Sequence, residues 1–389
     1  MPKQNNTSKN NKNSKLEPLF SKRSPGKPLY SKLTYCRRCC MPESNAFQAF
    51  DEFGICNACR SSEQKMRIDW NAREKELSKI FEKAKKKSGN NYDCVVPISG
   101  GKDSAFQLHI LVKKYKLTPL AVTFSHNWFT KTGEYNLKNI LERLNVDHMM
   151  YTPNRGLINK LATKSLKMIG DSCWHCHAGV WSYPYHVAVK FNIPLMIYGE
   201  SPADFSGQST YMDREKNKTT VMSDALKTTI KVPATEMVDE HLSEKELCLF
   251  FPPSEKQLKK AKIKAIFLSD FVFWDHERQT EFLIKEYKWK EDKVEGSYKH
   301  YKSVECKMAG VHDYAKFIKR GFGRGTDFAS QDVRAGLISR KEGFDLAAKI
   351  DTERPKSLDY YLKISGYTEK EFEEILKSKR DHKFKNKLK

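Results

Sequence analysis

A chain of 389 residues, 39% hydrophobic and 12% aromatic, is long enough for two or three domains and apolar enough to pack their cores. Its formal net charge of +22 invites a nucleic-acid reading, but +7 lies in residues 1–32 and +6 in residues 377–389, leaving +9 on the body. The polar, basic start MPKQNNTSKNNKNSK lacks the apolar core of a signal peptide, and no apolar run reaches membrane-spanning length. A cytoplasmic protein is expected, with no membrane contact and no nucleic-acid partner.

In chain order, residues 1–32 read as a disordered basic tail, rich in Asn, Lys and Ser. Residues 33–62 carry Cys36-x-x-Cys39 and Cys56-x-x-Cys59, separated by sixteen residues. That spacing predicts a four-thiolate zinc knuckle, closed to catalysis, with Cys40 as a spare neighbour. A charged stretch over 63–87, with Trp70, Leu77, Ile80 and Phe81 at helical spacing, predicts one connecting helix.

From 92 to about 200, strand-length apolar runs (YDCVVPIS, LTPLAVTFS, DHMMYTP, IPLMIYGE) alternate with helical segments. This is the pattern of βαβ units on a parallel sheet. The α/β domain is placed at 88–275, with a polar insertion at about 201–260 that contains SGQSTYMDREKNKTT. Residues 276–376 read as mainly helical, and 377–389 as a second basic tail. A further pair, Cys173 and Cys176 in C-W-H-C-H, allows two readings. One is a metal, iron–sulfur or redox group; the other is a helix packed by small thiols near Trp181 and Tyr185. A third ligand would come from Cys94, Cys248 or Cys306, and spacing selects none of them.

The most informative stretch is VVPISGGKDSAFQL, residues 95–108. A strand ending in two glycines turns backbone N–H groups toward an anion, and the following helix adds its N-terminal dipole. Ser99 and Ser104 supply hydroxyl donors, Lys102 neutralises a leaving phosphate, and Asp103 caps the helix or approaches magnesium. Neither G-x-x-x-x-G-K-[ST] nor G-x-G-x-x-G is present. The string Ser99-Gly100-Gly101-Lys102-Asp103-Ser104 instead resembles the S-G-G-x-D-S motif of the PP-loop ATP pyrophosphatases. That resemblance implies an adenine nucleotide hydrolase-like fold and ATP cleaved between its α and β phosphates. It also implies adenosine held by backbone groups around Thr123 and Phe124. GESPAD, 199–204, falls where many RNA-modifying relatives carry G-H-N-x-D-D, and only Gly199 and Asp204 match. Asp204 is thus a candidate magnesium ligand with fewer neighbours than in those relatives. Glu200 is either functional or a strand-end carboxylate facing solvent.

The knuckle, the loop, GE at the fourth strand and KFIKRGFGRGTDFASQDVRAGLISR together resemble the N-acetyl sugar amidotransferases, over about residues 33–375. These are bacterial enzymes of surface-polysaccharide and nonulosonic-acid synthesis. The resemblance implies that an acetamido oxygen is adenylylated by ATP and then replaced by ammonia, giving an acetamidino group, AMP and pyrophosphate. It further implies ATP, Mg2+ and Zn2+, with Lys102, Asp103 and Glu200 as catalytic residues. The acceptor would be an N-acetylated acidic or nucleotide-linked sugar. Arg324 and Arg334 are candidates for its carboxylate or phosphates; otherwise they are solvated beside a glycine-rich connection capped by Asp327. Residue 2 is Pro2, so no N-terminal-nucleophile glutaminase is read at this end. A partner glutaminase resembling the histidine-synthesis amidotransferase is expected, with or without a second histidine-synthesis-like subunit. The competing readings are a tRNA-thiolating PP-loop enzyme and a non-catalytic zinc-ribbon interaction protein.

Overall fold

The computed structural model describes residues 26–45, 47–205, 209–217 and 229–380, together with residues 221, 225, 384, 385 and 387. Most of the N-terminal basic tail, much of SGQSTYMDREKNKTT and part of the C-terminal tail lie outside the described residues. Five parallel strands form one sheet: β1 (Cys94–Pro97), β2 (Pro119–Phe124), β3 (His148–Tyr151), β4 (Leu195–Tyr198) and β5 (Lys264–Phe267). Their order is β3-β2-β1-β4-β5. The chain builds outward from β1 through β2 to β3, then crosses to the other side for β4 and β5. That reversal puts the ligand crevice beyond the carboxyl ends of β1 and β4.

Four of these strands were legible as apolar runs. β5 was not, because K-A-I-F is a short edge segment following the charged SEKQLKKAKIK, and only Ile266 and Phe267 are buried. Along β1, Val95 packs on one face of the sheet and Val96 on the other, as the two-residue period requires. All six residues of β2 are buried, as expected of a strand with both faces covered.

Among the described residues six α-helices precede β4: α1 (Asn57–Lys65), α2 (Trp70–Ser88), α3 (Lys102–His109), α4 (Lys131–Leu144), α5 (Arg155–Ile169) and α6 (Trp174–Lys190). The single helix expected over 63–87 is two. Asp69 accepts from the Ala72 N–H at 3.0 Å and starts α2, while Trp70 Nε1 closes α1 on the Lys65 carbonyl at 3.1 Å. One face of the sheet carries α2, α3, α4 and the helix His276–Tyr287; the other carries α5 and α6.

Five helices follow between Ala309 and Ser378, and Leu358, Tyr361, Phe372 and Leu376 join the core on the α5–α6 face. Between Tyr287 and Ala309 the chain forms a strap without helix or strand, laid over the carboxyl ends of the strands. Trp289 Nε1 donates to the Gly100 carbonyl at 2.9 Å, the Thr130 N–H to Glu305 at 3.1 Å, and the Lys307 N–H to Trp128 at 2.9 Å. Among the described residues no helix is long and apolar enough to cross a membrane.

Candidate active site

The phosphate loop turns through Gly100, whose φ of +85° lies in the left-handed region that favours glycine. A Cβ there would also sit 2.7 Å from the Gly133 carbonyl, so α4 and the loop approach too closely for any side chain. The Gly101 N–H donates to Ser99 Oγ at 3.3 Å, the Ser99 N–H to Ser104 Oγ at 3.3 Å, and Ser104 Oγ to the Gly101 carbonyl at 3.0 Å. The two serines therefore brace the turn. Gly101 caps α3 with extended backbone and no side chain, leaving the first-turn amides to an incoming anion.

Lys102, only 1% exposed at its side chain, is held against Asp103 and donates to His276 Nδ1 at 2.7 Å. His276 Nε2 lies 2.9 Å from Glu200 Oε1. Because an ammonium has only donors, Nδ1 carries the lone pair and the Nε2–H faces Glu200. Trp274 Nε1 fixes Asp103 from outside at 3.1 Å. Burial would raise the Asp103 carboxyl, but the Lys102 ammonium beside it holds it well below the usual range. At Glu200 burial is likewise outweighed, by the His276 Nε2–H and the Lys302 charge, and its carboxyl also falls. Glu200 is therefore not a solvent-facing strand end.

His276, the first residue of its helix, was missed in the sequence. The domain edge drawn at 275 passes through the unit Trp274-Asp275-His276, in which Asp275 caps the helix by accepting from the Arg278 N–H at 3.1 Å. A tryptophan, a capping aspartate and a histidine opening an amphipathic helix were the available signal.

Gly199 lines the phosphate cavity, whereas Asp204 lines a separate one, with Lys65 Nζ 2.7 Å from Oδ1. Burial raises the Asp204 carboxyl. Its Oδ2 is buried without a hydrogen-bond partner among the described residues. Glu200, Asp204 and His276 offer ligand atoms within 4.8 Å of one another, a set that can hold a metal ion. Thr123 does not face a cavity through its side chain, which donates to the Ile98 carbonyl at 2.6 Å and meets His148 Nε2 at 2.8 Å. Phe124 does.

Three cavities meet here. The phosphate cavity, about 310 Å³, is lined by the loop, Gly199, Glu200, Tyr301, Lys302 and Glu305. A mainly apolar cavity of about 370 Å³ adjoins it, walled by Ile98, Val122, Phe124, Val180, Trp181 and Pro184. A third, about 320 Å³, lies between the knuckle and the C-terminal helices; Lys231, Lys316, Lys319 and Arg320 give it a basic wall. Burial pushes Lys319 down to about 7. Arg324 lines all three cavities. It is ion-paired with Asp313 and donates to Ser303 Oγ at 2.5 Å, so it is not a solvated arginine. The glycine-rich connection before it is capped by Asp351, not Asp327. Asp351 accepts from the N–H groups of Gly323 (2.8 Å) and Gly325 (2.7 Å), while Asp327 pairs with Lys316.

Arg334, expected with Arg324 at an anionic substrate, borders the basic cavity and also donates from Nη1 to Cys39 Sγ at 3.9 Å. Cys36, Cys39, Cys56 and Cys59 are buried together, with Cys36–Cys59 at 3.8 Å and Cys39–Cys56 at 3.7 Å. A zinc ion with Zn–S of about 2.3 Å needs tetrahedral edges of about 3.8 Å, so the four sulfurs fit it. Hydrogen bonds from the other three thiols hold Cys36 far below the ordinary thiol range. Arg340 clamps the knuckle to the C-terminal region through the carbonyls of Cys39 (3.0 Å) and Cys36 (2.8 Å).

Cys173 and Cys176 line the apolar cavity with Cys306, but they are not part of any metal-binding group among the described residues. Of the other third-ligand candidates, Cys94 is buried in the core on the opposite face of the sheet and Cys248 is exposed. Burial raises all three cavity thiols, Cys306 to about 12.

Residues 295–389 match the family described as "LPS biosynthesis protein WbpG-like, C-terminal domain". The "Uncharacterized protein MJ1599" of Methanocaldococcus jannaschii is 24% identical over 272 residues, 70% of this chain and 76% of that protein. NMN synthetase from Francisella tularensis overlaps at a TM-score of 0.29 and 15% identity, covering 50% of this chain and 92% of that one. A predicted subunit of tRNA methyltransferase from Methanocaldococcus jannaschii gives 0.27 and 15%, covering 49% and 72%. These two structural overlaps are too slight to argue from. The parallel sheet with its S-G-G-x-D-S loop, the buried four-cysteine cluster and the matched C-terminal domain fit the N-acetyl sugar amidotransferase family of PP-loop ATP pyrophosphatases. The chain thus joins a five-stranded parallel sheet bearing an S-G-G-x-D-S loop to a C-terminal domain of the LPS-biosynthesis type. That domain contributes Tyr301, Lys302, Glu305 and Arg324 to the phosphate cavity, so the loop and the domain form one site.

Proposed function

We propose that this protein is an ATP-dependent amidotransferase that converts the acetamido group of an N-acetylated acidic or nucleotide-linked sugar into an acetamidino group. The observation that carries the reading is the meeting of a phosphate cavity, an apolar cavity and a basic cavity at Arg324. Adenosine occupies the apolar cavity, and the β and γ phosphates lie on the loop. The acceptor enters the basic cavity with its anionic group toward Lys319 and Arg320. An amide is a poor electrophile because its oxygen leaves badly. Attack of that oxygen on the α-phosphorus breaks the bond to pyrophosphate and converts the oxygen into part of an AMP leaving group. Lys102 and the loop amides stabilise the charge that builds on the departing pyrophosphate. Magnesium, held through Asp204 and Glu200, would neutralise further phosphate charge. Ammonia comes from a partner glutaminase in the cytoplasm.

The test is mass spectrometry of N-acetylated acidic and nucleotide-linked sugars incubated with the protein, Mg-ATP and ammonium. Replacement of O by NH lowers the neutral mass by about one unit. An unchanged sugar across the set would overturn the reading. Turnover that depends on tRNA and a sulfide source would replace it with thiolation.

A further inference from the structure

Resting on that reading, we infer that Glu305, in the strap of the C-terminal domain, is the catalytic base that takes the proton from ammonia. The α-phosphorus must lie where the adenosine cavity passes into the phosphate cavity. The residues lining both are Pro97, Ser99, Ser104, Ser303, Glu305 and Arg324. Glu305 is the one carboxylate of that set. Its side-chain oxygens lie 3.2 Å from the place a Cβ on Gly101 would occupy, directly against the phosphate loop. Oε2 is buried with no hydrogen-bond partner among the described residues, so its lone pairs are uncommitted. The backbone is fixed: the Glu305 carbonyl accepts from the Thr130 N–H, and its Cα packs on Gly133.

Glu200, the candidate raised by the sequence, is differently placed. It lines the phosphate cavity alone and is tied to His276. An anion beside a triphosphate costs electrostatic energy, and a structural role offers nothing to offset that cost at the unpartnered Oε2. Burial raises the Glu305 carboxyl, which makes it a better proton acceptor than an ordinary glutamate.

Ammonia adds to the carbon of the N-protonated imidate, forming a C–N bond and an ammonium as the C=N π pair moves onto the sugar nitrogen. Glu305 Oε2 takes one proton from that nitrogen. The C–O bond then breaks, the electron pair leaves with AMP, and the amidinium remains. Glu305 returns its proton to solvent as the products depart.

The experiment compares wild type, Glu305→Gln and Glu305→Asp in Mg-ATP, ammonium and the N-acetylated sugar set. Pyrophosphate, AMP and amidine are measured separately. Glu305→Gln is expected to lower amidine formation on the order of a hundredfold, a far larger loss than that of pyrophosphate release. AMP released per amidine then rises well above one, because the imidate hydrolyses back to the amide. Glu305→Asp is expected to restore part of the coupling. Amidine formation at the wild-type rate in Glu305→Gln, or a proportional loss of pyrophosphate and amidine, overturns the assignment. Wild type that releases no pyrophosphate with any sugar overturns the underlying reading instead, and the two failures are distinct.

Discussion

The two ends of the cleft beyond β1 and β4 are built on opposite physics. At the phosphate end the charges around the loop are buried beside one another. Lys102, Asp103, His276 and Glu200 form one continuous network drawn from α3, the end of β4 and the start of the His276–Tyr287 helix. At the apolar end a histidine and three thiols are kept neutral. Burial lowers His126 to about 4 and raises the thiols of Cys173, Cys176 and Cys306, among rings such as Trp181 and Tyr198, whose centroids are 4.2 Å apart. A polyanion needs fixed, pre-paired charge to bind without reorganisation, whereas a flat base needs area and no charge. The difference teaches that cysteine spacing alone does not define a metal site. In the knuckle a second pair and Arg334 arrive to balance the thiolates; on α6 neither does.

Substitutions at the two ends should therefore behave differently. The largest effect is expected for Lys102→Ala, with kcat for pyrophosphate release down by on the order of a hundred- to a thousandfold. His276→Ala follows, with a ten- to hundredfold loss on the order of a misplaced catalytic group. Its effect should nearly vanish in a Lys102→Ala background, because the two act as one unit. Additive losses would mean that His276 does not act through Lys102. Trp181→Ala should weaken ATP by about tenfold, equivalent to about 1.4 kcal/mol, in calorimetric titration, with kcat little changed. A kcat effect as large as that of Lys102→Ala would erase the distinction between the ends. The smallest effect is expected for Cys173→Ser with Cys176→Ser. Turnover should stay within about threefold, since a small neutral group replaces a small neutral group. Loss of activity together with a bound metal or cluster in the wild type would reverse the view of that pair.

Much of the architecture is local and was readable. The loop, β1 to β4 and the knuckle each rest on residues adjacent in sequence or at fixed spacing. The partners of the loop are not local. His276 meets Lys102 across 174 residues, and Glu305 is laid on Gly101 by hydrogen bonds between the strap and residues 128–130. No periodicity marks them, because a strap held by backbone bonds leaves its side-chain pattern free. The knuckle was legible as a zinc site, but its clamp onto Arg340 was not. Arg334 borders the basic cavity, but its contact with Cys39 Sγ was not legible, because a basic residue near glycines looks alike whether it faces a phosphate or a thiolate.

The central claim is that the loop splits ATP at the α phosphate to activate an amide. The direct measurement is the nucleotide product formed by the protein with Mg-ATP, ammonium and an N-acetylated acidic or nucleotide-linked sugar. The account predicts AMP and pyrophosphate, with one of each formed per amidine. ADP and inorganic phosphate, or AMP formed without any requirement for the sugar, would contradict it.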